Sequence, residues 1–169
     1  GLAAHAFMTS AVSAATALLS WMLIDVLKEG KPTLVGASTG LVVGLVAITP
    51  GSRVLYRFWS SFIIGALVSP ICYFGVGFIK ERVKIDDALD AFGCHGIGGI
   101  WGGLATGIFA KSSINSVAKW DGLVFGDFRL FRAQIIGILI TIVIAVLGTL
   151  ICAAIVKFYT ASSKRKEEK

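Results

Sequence analysis

His95 is the residue with the clearest capacity for chemistry in this sequence. It lies inside an uncharged, glycine-rich stretch, five residues after Asp90 and four residues before Gly99. At helical spacing His95 shares a face with Gly99, which directs the side chain into the protein and away from lipid. An ionisable residue within an apolar span is costly and usually faces a pathway or a partner. Burial disfavours the charged imidazolium, so His95 is predicted to be neutral, with one hydrogen-bond donor and one acceptor.

Two roles for a neutral histidine remain open at this position. The ring suits the passage of a small uncharged molecule along a pore, or the relay of a proton. It would serve equally well to bond two helices together. The spacing of His95 alone does not separate the pore role from the bonding role.

Three carboxylates precede the span that contains His95. Asp86, Asp87 and Asp90 stand at its N-terminal edge. There, carboxylates accept hydrogen bonds from free backbone amides and oppose the positive end of the helix dipole. We therefore expect a structural role for them, with ion binding by Asp90 as the alternative.

Glycines recur every four residues after the histidine. Gly99, Gly103 and Gly107 would form one ridge of the helix and let a neighbour pack against bare backbone. We expect this ridge to be buried against another helix of the same subunit.

The composition is that of a membrane protein. The hydrophobic fraction is 56%, the charged fraction is 15% and the mean hydropathy is +0.83, whereas a soluble domain is roughly 45 to 50% apolar with about a quarter of its residues charged. The net charge of +6 comes from short clusters with no basic stripe carrying interleaved aromatics, so no nucleic-acid partner is predicted. Cys72, Cys94 and Cys152 lie in apolar runs without C-x-x-C spacing, which indicates packing and neither a metal site nor a disulfide framework.

The elements that must position His95 are apolar helices. A hydrocarbon core about 30 Å thick needs roughly 20 apolar residues in a helix, and backbone amides in lipid must bond within their own segment. The sequence predicts an all-α membrane protein with a single domain over residues 1–169 and a tail over residues 157–169. Five uncharged runs are the predicted spans, namely residues 6–24, 33–50, 58–79, 91–110 and 133–156.

Basic residues predict the orientation. With five spans, ten Lys and Arg residues fall on the side of the tail and six on the side of Gly1. The excess favours a cytoplasmic C-terminus. Lipid is accordingly an expected partner.

Two long motifs resemble those of a known family, the Amt/Mep/Rh ammonium transporters. The run D-A-L-D-A-F-G-C-H-G-I-G-G-I from Asp87 to Ile100 resembles the family signature D-x-x-D-x-F-G-x-H-G-x-x-G-I. The run from Gly30 to Pro50, G-K-P-T-L-V-G-A-S-T-G-L-V-V-G-L-V-A-I-T-P, is similar to another conserved stretch of that family. The likeness extends over nearly the whole chain.

This resemblance implies an eleven-helix protein built from two inverted five-helix repeats and a peripheral last helix, assembled as a homotrimer with one pore in each subunit. The chain would supply the second repeat and the last helix, and six further helices would precede Gly1. His95 would be the second of two pore histidines, with Asp87, Asp90 and the three glycines as structural residues near the pore. The implied function is transport of ammonium or ammonia across the cell membrane, without enzymatic activity, cofactor or metal, and with a cytoplasmic PII-type protein as regulator.

Two alternatives come from other functional classes. An ammonium sensor would bind the same substrate and signal through a partner with little flux. A haem- or quinone-binding subunit of a redox complex would use His95 and His5 as ligands. The haem alternative is disfavoured, because His5 and His95 are predicted at different depths of the membrane.

Overall fold

The computed structural model describes residues 1–51, 57–84, 87, 89–114 and 119–167, and most of them are helical. It confirms the all-α class, since these residues form five α-helices and no β-strand. The α-helices are α1 (Leu2–Glu29), α2 (Leu34–Ile48), α3 (Phe58–Phe78), α4 (Gly98–Phe109) and α5 (Arg129–Glu167). Two π-helical segments, Ile79–Val83 and Phe92–Ile97, follow α3 and precede α4, and short 3-10 turns lie at Ser112–Ile114 and Leu123–Phe125.

Residues 1–135 form one compact unit and residues 136–169 a second. Among the residues that the structure describes, three helical stretches are long and apolar enough to cross a membrane, judged by length and composition: Leu2–Glu29, Phe58–Arg82 and Arg129–Thr160. Helix α2 is a shorter apolar helix of 15 residues. The predicted run 91–110 is divided between a π segment and the 12 residues of α4.

Helix α1 packs against the glycine-bearing face of α2. A Cβ atom built on Gly44 would lie 2.6 Å from the Ser13 carbonyl oxygen, and one on Gly40 would lie 3.0 Å from that of Ala17. A side chain at either position would therefore collide with the α1 backbone. Glycine spaced by four residues is what allows such close approach between helices in lipid.

Hydroxyl groups bond the closely packed helices to one another. Ser13 Oγ donates to the Gly44 carbonyl at 2.9 Å, and Ser69 Oγ donates to the Ala17 carbonyl at 2.6 Å. Ser13 and Ser69 are fully buried. These bonds connect α1 with α2 and with α3 without placing a charge in the apolar interior.

Pro70 lies inside α3 and leaves one backbone carbonyl without its usual donor. Proline has no N–H, so the carbonyl four residues earlier, that of Ala66, loses its helical hydrogen bond. Ser20 of α1 donates its hydroxyl to this oxygen at 2.9 Å. A neighbouring helix thus satisfies the group that proline exposes, as backbone in lipid requires.

We predict that Ser20 and Pro70 are energetically coupled. Replacing Ser20 by alanine should lower the free energy of unfolding by about 0.5–1.5 kcal/mol, the range for one hydrogen bond. In a Pro70→Ala background the restored N–H can bond Ala66, so Ser20→Ala should cost less. Unfolding in detergent of both single variants and the double variant measures the coupling, and an equal cost in both backgrounds would contradict this account.

Candidate functional site

His95 borders an open apolar groove. The groove has a volume of about 530 Å3, and His95 lines it together with five residues of α2 and its C-terminal turn, Val42, Leu45, Val46, Thr49 and Pro50. The histidine side chain is exposed, whereas the preceding Cys94 is buried. Within this chain His95 faces an open groove, and the expectation that it points into the protein stays a prediction.

The π-helical segment Phe92–Ile97 carries His95. Its small residues pack on α3: a Cβ on Gly93 would strike the Val76 side chain, and one on Gly75 would strike Ile97. Because these contacts hold one side of the segment against α3, His95 is left on the side of the groove. Single π turns within helices occur often at functional sites.

Asp87 caps the helical start that leads to His95. Its two carboxylate oxygens accept hydrogen bonds from the backbone N–H groups of Ala91 and Phe92, each at 2.9 Å. This is the capping role expected from the sequence for the acidic cluster. Asp86, the third acid of that cluster, lies outside the described residues.

Asp90 has a different partner from the one expected. Its side-chain Oδ1 forms an ion pair with Lys80 Nζ at 2.7 Å. Its backbone has φ +54°, in the left-handed region. The prediction that the Asp90 carboxylate binds free backbone amides is wrong, because Asp87 already binds the amides of Ala91 and Phe92. The Asp90 carboxylate instead links the π segment after α3 to the helical start before α4.

Two members of the glycine ridge predicted on α4, Gly103 and Gly107, are buried within this chain. A Cβ on Gly99 would meet no atom within 4 Å, so burial of the ridge at that position stays a prediction. Beside the ridge, a Cβ on Gly102 would lie 2.5 Å from the Ala47 carbonyl oxygen of α2. Gly103 is buried, and a Cβ on Gly107 would lie 2.8 Å from the Phe131 Cα atom.

A polar cluster closes the loop after α4. The Asp121 carboxylate binds Lys111 Nζ and accepts hydrogen bonds from Ser112 N at 2.7 Å and Ser112 Oγ at 2.6 Å. The hydrogen bond from Lys111, followed by those from Ser112, lowers the pKa of Asp121 from its ordinary value to about 2. Lys111 also lies over the Phe125 ring, with Nζ 4.7 Å from the centroid, and Arg57 lies 5.5 Å from the same centroid.

Sequence reasoning missed the α2 wall of the groove. The signal was present in the spacing of Gly36, Gly40 and Gly44, since a face committed to α1 leaves the opposite face for other use. Lys80 was also missed, because its partner Asp90 is ten residues away across a turn. His5, the second histidine, lies in the first turn of α1 and does not line the groove.

Comparison with known proteins gives a consistent result. The family model of the Ammonium Transporter Family matches residues 1–169. An ammonium transporter of Bacillus subtilis is 42% identical over 168 residues, covering 99% of this chain and 41% of that protein. The crystal structure of Saccharomyces cerevisiae Mep2 matches with a TM-score of 0.74 and 33% identity, over 81% of this chain and 31% of that chain.

A further solved structure, described as a sensor Amt protein, matches with a TM-score of 0.70 and 26% identity, over 81% of this chain and 32% of that chain. The chain spans about two fifths of the length of the Bacillus subtilis ammonium transporter.

We predict opposite outcomes for alanine at two glycines of α4. Gly102→Ala should lower the free energy of unfolding by about 1–3 kcal/mol, because the methyl group meets the Ala47 carbonyl in a packed interface. Gly99→Ala, the matched control on the same helix, should be neutral or gain up to about 1 kcal/mol from helix propensity. Equal destabilisation by the two changes in thermal unfolding would contradict the packing described.

We predict an acid-dependent loss of stability that requires Asp121. Its folded pKa of about 2 lies below the ordinary value of 3.8, so the stabilisation is present above pH 4 and is lost as the pH falls through 2. Because the Asp121 side chain is 22% exposed and solvent screens its charge, this stabilisation amounts to about 1–2 kcal/mol.

Melting temperatures of the wild type and Asp121→Asn between pH 5 and pH 2 measure this contribution. Asp121→Asn should be less stable at pH 5 and should approach the wild type at pH 2. Ser112→Ala should lower the melting temperature at pH 5 by less than Asp121→Asn does, and this difference from the wild type should also shrink toward pH 2. An Asp121→Asn curve parallel to that of the wild type would overturn the assignment.

Proposed function

Because the chain belongs to the ammonium transporter family, we propose that it forms part of the wall of a pathway for ammonia or ammonium, with His95 bordering that pathway. The observation that carries the proposal is the position of His95 on a π-helical segment, with its side chain open to an apolar groove. The His95→Asn variant separates conduction from simple bonding between two helices.

The chemistry of the groove favours a neutral permeant. The groove presents only hydrocarbon side chains to a permeant at Val42, Leu45 and Val46. The Thr49 hydroxyl already donates to the Leu45 carbonyl at 2.6 Å. A bare cation would lose its hydration there without compensation. Ammonia avoids that cost, and the imidazole of His95 offers it one donor and one acceptor in passing.

The proposal extends to the rest of the assembly. All five apolar segments would cross the cell membrane, with the C-terminus in the cytoplasm and ammonium or ammonia as the substrate. The remaining wall of the pathway would come from other helices of the same transporter, because the chain spans only about two fifths of its relatives. A homotrimer, lipid contacts and regulation by a PII-type protein are part of the same proposal.

An ammonium sensor is the second candidate. The likeness to a solved structure described as a sensor Amt protein favours it specifically. A sensor would bind ammonium at the same pathway and pass the signal to a partner with little flux. Binding without uptake by the wild-type assembly would select the sensor over the transporter.

We predict that His95→Asn, introduced into the assembled transporter, leaves the protein folded and changes its flux. Asparagine keeps hydrogen-bonding groups but does not titrate and does not present the imidazole geometry. Methylammonium uptake and ammonium-evoked current in liposomes should fall or lose their discrimination among small cations, while thermal stability changes by no more than about 1.5 kcal/mol.

The control is the same substitution at the other histidine. His5→Asn lies outside the groove and should retain wild-type flux. If His95→Asn were stable and kept both the flux and the selectivity of the wild type, the pathway assignment would be wrong and the histidine would serve packing alone.

A further inference from the structure

We propose that Lys80 is a positioning residue for His95, acting through its ion pair with Asp90. The consequence for transport rests on the proposed function. The structural part rests on the ion pair between Lys80 and Asp90. Lys80 lies on the π segment that ends α3, and Asp90 lies directly before the helical start that leads to His95. The ion pair therefore spans the turn from one π segment to the other.

The backbone conformation at Asp90 is held by neighbouring interactions, one of which is the hydrogen bond from the Asp90 N–H to the Asp87 carbonyl at 3.1 Å. A left-handed φ of +54° is unfavourable for a residue with a side chain, although aspartate tolerates it better than most. Such a conformation persists where surrounding interactions determine it. The ion pair with Lys80, whose Nζ lies 2.7 Å from Asp90 Oδ1, holds this side chain in place.

The conformation of Asp90 is transmitted directly to the segment that carries His95. The backbone N–H of Cys94 donates to the Asp90 carbonyl at 2.8 Å, and His95 is the next residue. If Asp90 relaxed to another backbone region, that carbonyl would turn and the first turn of the segment would rotate. His95 would then change its angle to the groove.

The pair is poorly explained as a device for stability alone. The side chains of Lys80 and Asp90 are 46% and 31% exposed, and partly exposed ion pairs contribute little to folding, although the paired oxygen, Asp90 Oδ1, is itself buried. Asp87 already caps the helical start through Ala91 and Phe92. What the pair adds is a fixed direction for the chain at Asp90.

Variants at the two positions test the inference. Lys80→Met removes the charge, Lys80→Arg keeps it, Asp90→Asn removes the opposite charge, and Lys84→Met is the matched control at an exposed lysine directly after the same π segment. Side-chain NMR of the 169-residue chain reports the geometry, because its two histidines give separate signals and His5 serves as an internal reference. Flux and selectivity are measured in liposomes with the assembled transporter.

We expect Lys80→Met and Asp90→Asn each to shift or broaden the His95 signals, to leave those of His5 unchanged, and to reduce flux several-fold at a nearly unchanged melting temperature. The Lys80→Met/Asp90→Asn variant should lose no more than either single variant, and Lys80→Arg should retain the wild-type signals. If Lys80→Met fails to fold, the charge exchange Lys80→Asp/Asp90→Lys should restore folding and flux.

The inference is overturned if the His95 signals and flux of Lys80→Met match those of Lys84→Met, if the two single losses add in the double variant, or if the charge exchange does not restore a variant that failed to fold. Its failure is distinct from that of the pathway proposal. A stable His95→Asn protein with wild-type flux would refute the pathway, whereas the NMR comparison still decides whether Lys80 positions the ring.

Discussion

The close approach of helix backbones around α1 is the constraint on which the rest of this structure depends. Gly40 and Gly44 of α2 bring their backbone against that of α1, where any side chain would collide. At such distances hydroxyls such as that of Ser13 reach carbonyls of the neighbouring helix. Because one face of α2 is committed in this way, the opposite face, with Val42 and Leu45, becomes the wall of the groove.

Sequence patterns were sufficient for the fold class and for the approximate position of each helix. Uncharged runs bounded by charges predict helices in lipid, since no other form satisfies the backbone there. The length of α1 was underestimated because Asp25 ended the predicted run; the structure buries that carboxylate, which accepts hydrogen bonds from the N–H and hydroxyl of Thr33 at 3.2 and 2.7 Å. A charged residue therefore marks the end of an apolar run more reliably than the end of a helix.

The site was less predictable than the fold, for reasons that differ between residues. Two registers of glycine, one through Gly98 and Gly102 and one through Gly99 and Gly103, satisfy the same four-residue spacing. The position of α2 decides that Gly102 meets the Ala47 carbonyl while Gly99 meets no atom within 4 Å. The partner of Asp90 depends on a turn that brings Lys80 back to it. The π segment around His95 depends on hydrogen-bond register, which side-chain patterns do not encode.

The π-helical turn at Phe92–Ile97 has a consequence for how this segment can change in evolution. Its hydrogen bonds reach one residue further than those of an α-helix, so it accommodates an extra residue within a turn. Loss of one residue there would leave an ordinary helix and would keep Gly102 and the residues after it near their present orientation, whereas loss of one residue within α4 would turn everything after it by roughly 100°, at 3.6 residues per turn. A single-codon deletion is thus less damaging in this segment than in the α-helix that follows it.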